Sequence, residues 1–175
     1  MESRAKLLGH PIHPMLVVLP LGLFIAAVVF DVLYLSRGVT AFAVVAYWNI
    51  VGGIIGGLLA AVFGLIDWLA IPSGTRAKRI GLLHGAAMVL VVAMFAMVGW
   101  LRSSAVDTAP TTNVFLLEVV ALALGAVSGW LGGELVDRLG VGVDDGAHLD
   151  APSSLSGQPA RRREPTPPVQ HRRAG

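Results

Sequence analysis

Apolar and polar residues fall along this chain in long blocks. Four apolar stretches, at about residues 15–35, 41–66, 80–101 and 114–136, are separated by short polar punctuation. The first is uncharged up to Asp31, and the second carries no charge. The third holds His84 as its one ionisable group, and the fourth carries Glu118 and Glu134 near its two ends. Each is long enough to cross about 30 Å of hydrocarbon at about 1.5 Å per residue. None alternates with a period of two, so a lipid-facing barrel is not supported. Helices satisfy their own backbone in lipid, and the pattern predicts an all-α, integral membrane four-helix bundle. Arg4 and Lys6 ahead of the first stretch resemble the start of a secretory signal. The apolar run nevertheless continues past Ala26 and Ala27 through Phe30 without a polar cleavage region, which predicts a retained span.

The same pattern divides the chain into an N-terminal segment (1–13), a four-span domain (14–145) and a C-terminal tail (146–175). In the tail Pro159, Pro165, Pro167 and Pro168 stand among Arg161, Arg162, Arg163, Arg172 and Arg173, and no apolar period survives, so disorder is expected. Those arginines read first as a solvated tail and second as an adhesive for anionic lipid headgroups. Nucleic acid is not an expected partner, because no aromatic residues are interleaved for base stacking.

Composition agrees. With 55% hydrophobic and 14% charged residues, the chain has roughly half the charge of a soluble domain, which excludes a water-soluble globule. The absence of cysteine excludes disulfides, thiolate metal sites, iron–sulfur clusters and covalently attached haem. Net charge is only +2, but its placement is informative. With four spans, eleven of the thirteen basic residues fall on one side, and only Arg37 and Arg102 on the other. The positive-inside rule then predicts an inner-membrane protein with both termini cytoplasmic.

Ionisable groups are costly in hydrocarbon, so each one in or beside a span needs a reason. His10 and His13 lie at the cytoplasmic mouth of the first helix in Gly9-His10-Pro11-Ile12-His13-Pro14. Asp67 closes the second helix on that side, His84 enters the third, and Glu134 ends the fourth. Pro14 suits a first helical position, and Pro11 holds the residues before it extended. The prediction is a cluster of three histidines and two carboxylates in the cytoplasmic half, with Arg76 and Arg79 nearby. Asp31 and Glu118, on the outer side, read as interfacial. Gly52, Gly53, Gly56 and Gly57, and separately Gly125, Gly129 and Gly133, repeat at four-residue spacing, which predicts close helix packing or a face for a second copy.

The His-Pro pair, the helix Leu16–Pro20, Asp67-Trp68, Gly74-Thr75-Arg76, His84 and the run from Ser128 to Val136 together resemble the bacterial membrane family catalogued as domain of unknown function 2231, over about residues 6–145. The resemblance implies a multi-pass membrane protein and brings no activity with it. Relatives with a Rieske-type domain on the same chain hint at electron transfer, but this sequence has no cysteine to build one.

Three functions fit these residues. The first is an electron carrier holding haem b between His84 and His13 or His10, with Arg76 and Arg79 near the propionates and a membrane redox partner. The second is a divalent metal site of His10, His13, His84 and Asp67 or Glu134. The third is a scaffold with no cofactor, packing against another membrane protein through its glycine faces. No nucleophile and base pair is present, so no hydrolase is expected and no catalytic residue is assigned. The glycines at 52–57 lie within a span, without the strand or helix start of a nucleotide-binding loop.

Overall fold

The structure, a computed structural model, describes residues 1–160. The tail arginines at 161–163 and 172–173 lie outside the described residues. A two-residue hairpin, β1 (Lys6–Leu7) and β2 (His10–Pro11), pairs Leu7 with His10. It leads into a short helix, α1 (Ile12–Leu16), and then α2 (Val18–Arg37), α3 (Thr40–Ala70), α4 (Arg76–Arg102) and α5 (Thr112–Gly133). A π-helical turn, Glu134–Arg138, continues α5, and a 3-10 turn, Ser154–Ser156, follows later. The expected four spans are present, since four helical segments are long and apolar enough to cross a membrane.

The local sequence explains the boundaries. Pro14 and Pro20 lack the N–H that a continuous helix requires, and the first span is interrupted at Val17. It therefore starts at Ile12 with Pro11 as its cap, two residues before Pro14. Gly38, in the left-handed conformation at φ 67°, closes α2 through a bond to the Tyr34 carbonyl. Ile71-Pro72 stops α3, since a residue before proline is pushed out of the helical region. Thr75 and Thr111 cap α4 and α5 by accepting the N–H groups of Lys78 and Val114.

Two helix hairpins, α2–α3 and α4–α5, form the bundle, and each helix packs most extensively on its hairpin partner. The core is thin and apolar, comprising Phe24, Ala27, Ile50, Val91, Phe95, Val98 and Ala121. Most large apolar side chains point outward, including Trp48, Trp100 and Trp130, as expected where the surroundings are lipid. On α3 the glycines carry close packing: a Cβ at Gly53 would lie 2.5 Å from the Phe24 ring, and one at Gly56 3.0 Å from Leu19. On the last helix Gly125, Gly129 and Gly133 seat no neighbour closely within the chain, and the alternative of a face for a second copy is not tested by a single chain. Gly129 has nothing within 4 Å, and Gly125 only the tips of Val91 at 3.9 Å.

The hairpins repeat one another. The buried residues Pro20, Phe24, Ala27 and Asp31 of α2 match Val91, Phe95, Val98 and Arg102 of α4, each pair 71 positions apart. Ile50, Gly53 and Ala60 of α3 match Glu118, Ala121 and Ser128 of α5, each 68 apart. Equivalent residues of α2 and α4 also meet across the bundle centre. Phe24 and Phe95 stack with ring centres 3.9 Å apart and planes within 2°, and Asp31 bonds Arg102. Such self-complementary meetings are the signature of a two-fold relation, here an approximate one between two halves of a single chain.

Candidate functional site

The relation extends to the histidines. His13 and His84, again 71 residues apart, face each other with ring centres separated by 6.3 Å and planes at 86°. Each ring is held within its own hairpin in the same way. His13 Nδ1 lies 2.8 Å from the Ala60 carbonyl, and His84 Nδ1 lies 2.8 Å from the Ser128 carbonyl. A carbonyl only accepts, so each Nδ1 carries a proton and donates, and in a neutral imidazole held this way Nε2 is the nitrogen with the free lone pair. One helical turn beyond each carbonyl, a glycine makes room for the ring. A Cβ at Gly64 would lie 2.8 Å from His13 Cε1, and one at Gly132 would lie 3.2 Å from His84 Cε1.

Ser128 adds a second tie on one side. Its hydroxyl donates to the His84 carbonyl at 3.1 Å and also lies 3.1 Å from His84 Nδ1, so helices α4 and α5 clasp each other at this level. Ser128 is fully buried, and in the matching place on α3 stands Ala60.

The other residues expected at this end are held elsewhere. His10 lies on the exposed hairpin, with Nε2 3.3 Å from Ser154 Oγ. Asp67 accepts from Ser3 Oγ and the Arg4 N–H at 2.8 Å each, and thereby ties down the N-terminal segment. Glu134 pairs with Arg76 at 2.6 Å, while Arg79 points outward. Lys78 lies 4.0 Å over the Trp68 ring and donates to the Trp68 carbonyl at 2.7 Å. The expected convergence of three histidines and two carboxylates thus reduces to two histidines. Among the described residues no group of three or more His, Cys, Asp or Glu is placed to hold a metal ion.

The N-terminal segment is fastened at the same end. Lys6 bonds Glu2 at 2.8 Å and also Asp144, beyond the last helix. The Lys6 ammonium beside Glu2 holds that carboxyl below its usual range, and the bonds from Asp144 and Glu2 push Lys6 up.

At the opposite end the expectation of interfacial carboxylates is corrected. Asp31 and Glu118 are fully buried, each at 0% exposure, because both turn inward onto Arg102. Arg102 Nη1 bonds Asp31 Oδ2 at 2.5 Å and Glu118 Oε1 at 3.1 Å. Its Nη2 bonds Asp31 Oδ1 at 3.0 Å and the Ala43 carbonyl at 3.3 Å. Arg102 Nε and Glu118 Oε2 are buried without a hydrogen-bond partner among the described residues.

Sequence reasoning missed Ser128, Gly64, Gly132 and this triad. The signal was present in the spacing: His, Phe and a charged residue recur at intervals of eleven and seven, once as His13, Phe24 and Asp31 and again as His84, Phe95 and Arg102. No curated protein and no solved structure matches the chain. A family model described as predicted membrane protein, DUF2231, matches residues 9–145, most of the chain, and the protein belongs to that family.

Proposed function

We propose that the protein is an electron carrier of the inner membrane that holds one haem b between His13 and His84, at the cytoplasmic end of the bundle. The observation that carries this reading is the facing pair of imidazoles, each oriented through Nδ1 so that Nε2 is left to a ligand. Were both Nε2 atoms turned to one iron, two metal–nitrogen bonds of about 2 Å and the radius of each ring would give a separation near the observed 6.3 Å. Carbonyl acceptors on Nδ1 are the usual means by which a protein fixes the tautomer of a ligating histidine and raises its basicity.

The choice of haem over a bare divalent ion follows from ligand number. A zinc site needs three or four protein ligands, and the pair offers two. A macrocycle brings its own four nitrogens and asks the protein only for axial ligands, as facing helices of a bundle supply. Were His13 and His84 both to hold the haem, no coordination site would remain for a substrate, which favours electron transfer over catalysis. Among the cationic groups at this end, Arg76 and Arg79 stand in the first turn of α4, the helix that carries His84, and engaging a propionate would require Arg76 to leave Glu134.

The test is the absorbance of the purified protein, oxidised and reduced, with haem supplied during expression. The reading expects a Soret band, with sharp bands on reduction, at about one haem per chain. Elemental analysis of untagged protein separates the alternatives: zinc or manganese at equal stoichiometry without a Soret band replaces haem with an ion, and neither signal removes the cofactor.

A further inference from the structure

We propose that the Asp31, Arg102 and Glu118 cluster is a proton-binding site, in which one proton sits on Glu118 Oε2. The inference does not rest on the haem reading, since the two sites occupy opposite ends of the bundle.

The cluster contains more carboxyl groups than its packing needs. Asp31 and Arg102 already form a complete pair, joined through both Nη1 and Nη2 and balanced in charge. They occupy equivalent positions of the two hairpins, so this one pair completes the match between the halves. Glu118 is additional. Its equivalent in the other hairpin is Ile50, which fills the same kind of buried position with hydrocarbon. Glu118 makes a single bond to Arg102, through Oε1, at a guanidinium nitrogen that Asp31 already holds at shorter range; the like-charged Asp31 carboxyl is its other neighbour, and Oε2 has no hydrogen-bond partner among the described residues.

Charge counting leads to the same place. Two carboxylates and one guanidinium leave one uncompensated negative charge, fully buried in a helix bundle where lipid gives no solvation. The surrounding helices supply nothing to balance it. From α2 comes Asp31, from α4 Arg102, from α3 only the Ala43 carbonyl; Asp31 and Arg102 are the charged groups that act on Glu118. A metal cation would have to sit beside Arg102. A proton has no such conflict, because it forms a covalent O–H bond at the oxygen that lacks a partner and turns the single excess charge into a neutral carboxyl. The chemistry is one proton transferred from a solvent hydronium ion, whose O–H bond breaks to leave water as the Glu118 O–H bond forms, and returned to water on release, with no change of oxidation state. The Phe24–Phe95 stack, seven residues along each helix from Asp31 and Arg102, separates this site from the histidines by an apolar layer, so exchange is expected from the outer end.

The experiment is infrared difference spectroscopy of the full-length protein in lipid, read at the carbonyl stretch of protonated carboxyl groups. In wild type the proposal expects such a band, shifted when the glutamate carboxyls are isotope-labelled and unshifted by aspartate labelling. In Glu118→Gln the band is lost and the protein stays folded. The labelled wild-type measurement stands even if the variant fails to fold. Absence of the band, its persistence in Glu118→Gln, or a shift on aspartate labelling in place of glutamate labelling would each overturn the proposal.

Discussion

Each of the two polar layers of the bundle pairs equivalent positions of its two halves, His13 with His84 and Asp31 with Arg102, and the two are built on opposite rules. At the basic end the layer is symmetric: His13 faces His84, each on a backbone carbonyl and over a glycine. At the far end it is complementary, with Asp31 facing Arg102 and Glu118 added from one side. Between them lies the stacked pair Phe24 and Phe95. Two like histidines do not neutralise or complete one another, and on the proposed reading a cofactor joins them. A complementary ion pair fills its own position and locks the two hairpins in register. The far end therefore holds the two halves together, while the proposed haem and the proposed proton on Glu118 are what each layer would add to that packing.

That contrast ranks the consequences of substitution. The largest effect on stability is expected from Arg102→Leu, which leaves Asp31 and Glu118 buried without their cation at a cost of about 3–5 kcal/mol. Thermal unfolding in detergent should show a large fall in Tm or failure to accumulate, and an unchanged Tm would contradict the locking role. Replacing all three members, Asp31→Leu with Arg102→Leu and Glu118→Leu, should recover most of the loss, because well-packed apolar residues often replace a buried ion cluster at no net cost.

Next come the glycines that seat the two rings. Gly64→Ala places a methyl 2.8 Å from His13 and should destabilise by about 1–3 kcal/mol through overpacking. Gly132→Ala meets His84 at 3.2 Å, a contact that a slight shift relieves, and the gain of about 1 kcal/mol in helix propensity should bring it near neutral. Unfolding of the two variants side by side reads the difference. Equal effects would mean that the ring seats are not set by these distances.

The smallest effect belongs to the fastening of the N-terminal segment. Glu2 has its folded pKa lowered by Lys6, so its contribution is present above its unfolded pKa of 4.5 and is lost as pH falls through the folded value. Lys6 has its folded pKa raised, so its contribution is full below 10.5 and is lost as pH rises through the folded value. Lys6→Gln should lower Tm slightly between those limits and remove the alkaline part of the pH dependence. Because these groups are exposed the change is small and weakens further with salt.

The fold was legible because membrane helices are written in long apolar blocks, and all four were visible from composition and length. Boundaries moved by a few residues where proline and threonine set the ends, as at Ile12 and Thr75. The histidine pair was legible in part. His13 and His84 drew attention as ionisable groups in or beside spans, whereas His10, Asp67 and Glu134 were grouped with them only by lying on the same side. Depth along a helix can be read from a sequence, but which way a side chain turns depends on the neighbouring helix, and that separated Asp67 and Glu134 from the site. Asp31 and Glu118 were misread for the same reason: near a span end a carboxylate can face headgroups or turn inward, and Arg102 decides it.

The central claim, that His13 and His84 are equivalent ligands of one haem, is tested most directly by reduced-minus-oxidised spectra of wild type, His13→Ala and His84→Ala prepared with haem in parallel. The account predicts a six-coordinate haem spectrum in wild type and its loss to the same extent in both variants, with the helical content unchanged. A wild type without a Soret band, or a spectrum that survives either substitution, would contradict it.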